Sequence, residues 1–174
     1  MGFKSLGKNV LISDKASIYR PDRISIGDNT RIDDFCILSA GVGGIEIGRY
    51  VHIACYASIL GAGKVQMCDF SGISSRVSIF SSSDSYSGLF MTNPTLPKEV
   101  THTIHDDVYL GKHVVVGCGS VILPGIKLQE GCAVLSMTVV NRSYDKDTII
   151  GGIPGRPQRN RRLPDIYILE KLVP

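Results

Sequence analysis

At 174 residues and a net charge of +3, the chain is long enough to bury one core unaided and too weakly basic to signal nucleic acid by charge alone. Glycine is abundant at 19 residues, aromatics are few and tryptophan is absent, and no apolar run approaches the ~20 residues needed to cross a membrane. Five cysteines (Cys36, Cys55, Cys68, Cys118, Cys132) form no CxxC and no paired spacing, and no secretory signal opens the chain, so reduced thiols in a cytoplasmic protein are expected.

From Ile26 an aliphatic side chain recurs every six residues, at Ile32 and Leu38. A strand repeats every two residues and an amphipathic helix every 3.6, so neither yields this beat by itself. A hexapeptide repeat does, as the sequence mark of a parallel β-helix whose triangular coils place one unit on each face. Leu38 to Ile47 is nine residues, so the glycine-rich stretch 39–44 shifts the register by three. The beat resumes at Ile47, Ile53, Ile59 and Val65, misses at Ser71 and returns at Val77. Cysteines alternate with these aliphatics and are expected to act as small hydrophobes.

Leu110 follows Val77 by thirty-three residues. The stretch 81–107 holds Ser81-Ser82-Ser83, Asn93-Pro94, Leu96-Pro97 and two of the four histidines, with no aliphatic period. Turn formers in that density predict a long excursion from the coils, and such excursions are usually functional. Its apolar members Tyr86, Leu89, Phe90 and Met91 imply that it packs on something. Leu110, Val116, Ile122, Leu128, Val134 and Val140 then fall six apart without a miss. The repeat decays through 141–147, and the glycines and prolines of 151–157 end the coils. Apolar residues at helical spacing in Ile166-Tyr167-Ile168-Leu169-Glu170-Lys171-Leu172 predict a short helix starting near Pro164-Asp165. The organisation expected is one domain, with coils over 1–158 and a basic segment and helix over 159–174.

The phrases Ile26-Gly27-Asp28-Asn29, Ile47-Gly48-Arg49-Tyr50-Val51, Leu110-Gly111-Lys112-His113-Val114-Val115-Val116-Gly117-Cys118-Gly119-Ser120-Val121-Ile122 and Gly152-Ile153-Pro154-Gly155-Arg156 resemble the hexapeptide-repeat acyltransferases. The resemblance covers residues 8–158, and the closing Gly-x-Pro-Gly-Arg phrase narrows it to the sugar and xenobiotic (maltose acetyltransferase-like) branch. It implies a mainly β fold, a left-handed parallel β-helix with an excursion loop at about 81–107 and a short C-terminal helix. The left hand comes from the resemblance alone, since parallel crossovers are otherwise right-handed. It further implies a homotrimer with active sites between subunits. Acetyl-CoA or another acyl-CoA would be the co-substrate, with no permanently bound cofactor and no metal. A nucleotide sugar or other sugar, used for surface polysaccharide, would be the acceptor.

Acyl transfer requires deprotonation of the acceptor, a donor for the oxyanion, and both substrates held together. In the family a histidine near the start of the loop is usually the base, and here Asp84 stands in its place. An aspartate, with a pKa near ~4, is a poor base for a hydroxyl. An amine attacks first and sheds its proton late, so a carboxylate suffices. Asp84 therefore favours N-acylation of a nucleotide-linked amino sugar. O-acetylation with His102 or His105 as base stays open, as does a non-catalytic scaffold. Glu130 is a second candidate carboxylate, and Tyr86 and Asn93 are candidates to contact the acceptor. Around coenzyme A the candidates are Gly117, Gly119, Ser120 and Ser136 along the thioester arm, and Arg142, Lys146, Arg156 and Arg159 for its phosphates. His52 and His113 occupy outward positions of the repeat, where a solvated surface role is expected. The histidine spacings of 50, 3 and 8 do not match the zinc site of a γ-class carbonic anhydrase.

Overall fold

Each six-residue unit folds into a strand of two to four residues and a tight corner, and three units complete one turn of a parallel β-solenoid. The computed structural model describes residues 2–162 and 165–173. Three sheets form the walls, with six, eight and six strands. Successive coils pair in strict register. Ile26, Ile47, Met67, Leu110 and Leu128 align on the first sheet. Ile32, Ile53, Ile73, Val116, Val134 and Ile150 align on the second. Leu38, Ile59, Ile79, Ile122 and Val140 align on the third. All of these side chains are buried, so the beat is a column of aliphatics along the solenoid axis. Burying each contributes roughly 1.5–3 kcal/mol.

The register corrects the beat after Ile59. Ile47 pairs with Met67, whereas Val65 pairs with Ile45. Each unit thus points two side chains inward, two residues apart, and Val65, Ser71 and Val77 lie on the second of these tracks. The corner around Gly61-Ala62-Gly63 carries two residues beyond the six-residue unit, and these move the beat from one track to the other. Ser71 is accordingly no gap: it is buried, and its hydroxyl donates to the Cys68 carbonyl at 2.6 Å. Near the corners this second track takes small side chains such as Thr30, Cys36, Ala57, Ser120, Cys132 and Thr138, all buried. Burial pushes the Cys36 and Cys132 thiols up from their ordinary range, and all five cysteines are unpaired.

The excursion leaves as an antiparallel ribbon, Ser82–Asp84 against Thr103–His105. Its foot is closed by the Asp106 amide donating to the Ser81 carbonyl at 3.1 Å, and Val108 re-enters the first sheet opposite Val65. At the other end Arg156–Asn160 pairs antiparallel with Thr148–Gly151, so the boundary expected at 158 falls within a strand. The helix is Ile166–Glu170 with Asp165 at its N-cap, within the start expected near Pro164-Asp165, of which Pro164 lies outside the described residues. Among those residues no helix is long and apolar enough to cross a membrane.

The tail overturns the surface role expected for His113. Tyr50, Phe70 and His113 stack up one corner, with ring centroids 5.1 and 5.2 Å apart. Tyr167 meets His113 edge-on at 5.7 Å, and Glu170 binds His113 Nε2 at 3.0 Å and also the Lys112 ammonium. His113 is left 5% exposed. Arg161 secures the approach by donating to the His113 and Gly131 carbonyls at 2.9 and 3.2 Å. His52 stays on the surface, bonded to Asp33 at 2.8 Å.

Lys112 first, then His113, hold the Glu170 carboxyl below its ordinary range. A carboxyl depressed in the folded state stabilises docking above its unfolded value of 4.5 and ceases to do so as pH falls through the lower folded value. Hydrogen exchange of 166–170, corrected for intrinsic rate, should therefore quicken below about pH 4.5. Glu170→Gln should show the faster exchange already at neutral pH, and exchange unmoved by both changes would remove this clasp.

Candidate active site

The ribbon sorts the loop residues by face. Opposite residues of an antiparallel pair share a face, and neighbours along a strand alternate. Ser82 faces His105 and Asp84 faces Thr103, so these four side chains project on one side, with Ser83 and Ile104 on the other. Ser82 Oγ lies 2.7 Å from His105 Nδ1 and accepts the Ala62 amide at 2.7 Å. Thr103 Oγ1 makes a long contact of 3.5 Å with Asp84 Oδ1. Asp84 is half-buried, and among the described residues its carboxylate has no other side-chain partner. His102 is two residues from Ile104 on the opposite face and stacks on Phe90, centroids 4.9 Å apart. The fold thus joins Asp84 with His105 and takes His102 away from both.

Below the ribbon, adjoining depressions cross the outer face of the first sheet. The first is lined by His105, Asp106, Asp107, Gly125 and Lys127. The last is a groove of about 680 Å³ that includes Cys68, Tyr109, Lys112, Glu130 and Lys146. The Cys68 sulfur and the Tyr109 hydroxyl lie 3.4 Å apart, and this contact, with burial, pushes the phenol up to about 12, so it stays neutral. A separate groove of about 660 Å³ at the C-terminal end is lined by Ile149, Arg159, Asn160, Arg161 and Arg162. Among the described residues no cluster of histidine, cysteine or carboxylate side chains is arranged to hold a metal ion.

Comparison with known proteins decides the family. A dTDP-4-amino-4,6-dideoxy-D-glucose acyltransferase of Escherichia coli is 52% identical over 168 residues, which cover 95% of this chain and 88% of that one. The chain belongs to the dTDP-amino-sugar acyltransferases. Among solved structures, AntD, an N-acyltransferase from Bacillus cereus in complex with dTDP and 3-hydroxybutyryl-CoA, matches with a TM-score of 0.94 at 42% identity, covering 99% of this chain and 90% of AntD. An AntD variant in complex with dTDP-4-amino-4,6-dideoxyglucose and coenzyme A matches at 0.93 and 42%, covering 99% and 91%. A maltose O-acetyltransferase from Clostridium difficile, 20% identical with a TM-score of 0.60 over 92% of this chain and 71% of its own, shares the fold alone. No protein-family model matches the chain.

Within this dTDP-amino-sugar acyltransferase the other expected site residues scatter. Glu130 sits at the far edge of the first sheet from the ribbon, where Lys146 approaches it at 3.4 Å, so it does not pair with Asp84. Ser120 is fully buried, donating to the Leu135 carbonyl at 2.9 Å and accepting the Thr138 amide at 3.2 Å; its hydroxyl holds two coils together and is closed to a ligand. Ser136 is exposed beside it. Arg142 is held on the Tyr144 hydroxyl at 3.1 Å, and Arg156 on the Gly155 carbonyl at 2.9 Å. Arg159 is exposed in the arginine groove. Tyr86 is 92% exposed, and the Asn93 side chain accepts from the Thr95 amide and hydroxyl as a turn former. Ser82 and Thr103 escaped the sequence reading. Their only signal was a polar alternation, Ser-x-Asp against Thr-x-His.

Gly117 and Gly119 have a packing role that sequence alone did not reveal. A Cβ on Gly117 would lie 2.5 Å from the Ser136 amide nitrogen, and Gly119 has a φ of +71°. Gly117→Ala should therefore lower stability to denaturant by about 1–3 kcal/mol, because the coil above cannot yield. A variant of unchanged stability that loses only coenzyme A affinity would restore the ligand-approach role.

Proposed function

We propose that the protein transfers an acyl group from acyl-CoA to the amine of a dTDP-linked 4-amino-4,6-dideoxy sugar, with Asp84 receiving the proton. The observation that carries this reading is the half-buried carboxylate of Asp84 on the ribbon face, in a chain whose relatives are named for that acceptor. The neutral amine attacks the thioester carbon, its nitrogen forming the amide bond as the carbonyl becomes an oxyanion. Collapse of that intermediate breaks the C–S bond and releases the coenzyme A thiolate. The nitrogen gives its proton to Asp84, from which it passes to the thiolate or to water. Two solved AntD structures carry substitutions at an aspartate, the residue type this role requires.

The reading includes a homotrimer. The third sheet presents Ser17, Tyr19, Ile37, Ser39, Ser58, Leu60, Ser78, Phe80, Val121 and Val139 outward, a face without one charged side chain. Such a face suits a second copy of the chain, and the ribbon at its edge, with exposed Tyr86, Leu89 and Met91, would reach that neighbour. The arginine groove suits the phosphates of coenzyme A. The enzyme would work in the cytoplasm, where nucleotide sugars for surface polysaccharide are made.

Incubation with dTDP-4-amino-4,6-dideoxyglucose and acetyl- or 3-hydroxybutyryl-CoA should give an N-acyl product by mass spectrometry. Asp84→Asn should reduce turnover by ~10²-fold or more while leaving thermal stabilisation by coenzyme A intact. Wild-type turnover in that variant, or acylation at a hydroxyl, would defeat this assignment.

A further inference from the structure

We propose that Ser82 is a positioning residue that fixes His105 as the neutral tautomer with its proton on Nε2, and that this N–H donates to the thioester oxygen as it becomes an oxyanion. The catalytic half rests on the acyl transfer proposed above; the tautomer stands on geometry alone.

A serine hydroxyl carries one proton and two lone pairs. The Ala62 amide can only donate, so the bond it makes to Ser82 Oγ at 2.7 Å occupies a lone pair. The other partner of that oxygen is His105 Nδ1, also at 2.7 Å. Among the described residues Nδ1 is the acceptor within reach of the hydroxyl proton, and in the proposed arrangement that proton points to it. A ring nitrogen that accepts carries no proton, and the neutral ring then holds its proton on Nε2. A histidine so held presents a donor, not a base, to a ligand at its Nε2 edge. In that tautomer His105 would not be the proton-abstracting base it was offered as in the sequence.

The ribbon also sets the spacing. Asp84 and His105 are diagonal neighbours on one face, a relation with Cβ atoms roughly 7–8 Å apart or somewhat less. Between a carboxylate and an oxyanion donor must fit the amine, the carbonyl carbon and its oxygen. That chain of atoms, two hydrogen bonds of about 2.9 Å included, needs a separation of this order. His105 also lines the depression at the foot of the ribbon, with Asp106, Asp107, Gly125 and Lys127, so the residue borders an open space.

Two measurements test the pair. In protein labelled with ¹⁵N at histidine, long-range correlation spectra should show the His105 ring with an unprotonated Nδ1 and a protonated Nε2, its signals assigned by their loss in His105→Gln. Ser82→Ala should abolish that preference and Ser82→Thr, which keeps the hydroxyl, should retain it. In steady-state assays Ser82→Ala and His105→Ala should each lower kcat by ~10²-fold, the scale of losing one oxyanion donor, with both KM values little changed. Ser82→Thr should restore most of the rate, and the double alanine variant should be no slower than His105→Ala. A protonated Nδ1, or a wild-type kcat in Ser82→Ala, would overturn the proposal. Since wild-type enzyme and Asp84→Asn run in the same assay, a failure confined to Ser82 leaves the acyl-transfer reading intact. Absence of N-acylation by the wild type removes both.

Discussion

The structure depends on stacking in register. Met67 lies between Ile47 and Leu110, Ile73 between Ile53 and Val116, and Ile79 between Ile59 and Ile122, each inward side chain resting on its counterparts at the strand-pairing distance of about 4.8 Å. No coil can gain a residue on a wall without turning every later side chain to the wrong face. Extra residues therefore leave at corners, as at 41–44, at 62–64 and in the excursion. The same constraint steadies the ribbon. Ser81 is buried and its hydroxyl donates to the Gly63 carbonyl at 2.8 Å, while Val108 seats on Val65, so both strands leave from fixed feet. Asp84 and His105 owe their common face to that foundation, since two polar strands of three residues have little reason to pair alone.

What was legible in the sequence follows from the same physics. The beat at Leu110 through Val140 reads cleanly because there only γ-branched or β-branched aliphatics fill the main inward track. The second track escaped notice because it takes whatever small group the corner leaves room for, whether Cys36, Ser71 or Thr138. Once Val65 happened to continue the count of six from Ile59, the change of track was invisible. The excursion was legible as the long stretch without the beat, and Asp84 as a carboxylate near its start. The pairing of Ser82 with His105 was not, because it joins residues twenty-three apart through a ribbon with no hydrophobic alternation. Nor was the burial of His113, which is decided by a tail that returns fifty-seven residues later to place Glu170 against it.

Two of these features also show how the solenoid separates stability from chemistry. Polar groups within the walls are spent on the backbone: Ser120 on Leu135, Thr30 on Gly48, Cys36 on Ala54. Each is satisfied, as a buried polar group must be, and none is available to a substrate. The tail does the same at one corner, where Arg161 and Glu170 are consumed in closing the aromatic column. Groups free to do chemistry are left on the excursion, on the outer face of the first sheet and in the arginine groove.

That separation bears on the acceptor. A prism of this kind tolerates a histidine or an aspartate at the start of its loop equally well, because neither touches the stacked core, so the fold places no demand on the residue there. Chemistry does. A hydroxyl has to surrender its proton as it attacks, which a carboxylate in contact with water is too weak to drive, while an amine becomes acidic only after the carbon–nitrogen bond has begun to form. A carboxylate then needs only to be within reach and have lone pairs to spare. Asp84, with one long side-chain contact to Thr103 among the described residues, meets both conditions. His105, its Nδ1 taken up by Ser82 in the tautomer proposed, would not supply the stronger base that a hydroxyl requires. The two side chains on the ribbon face thus argue for the same acceptor from opposite directions, one by what it can accept and the other by what it cannot.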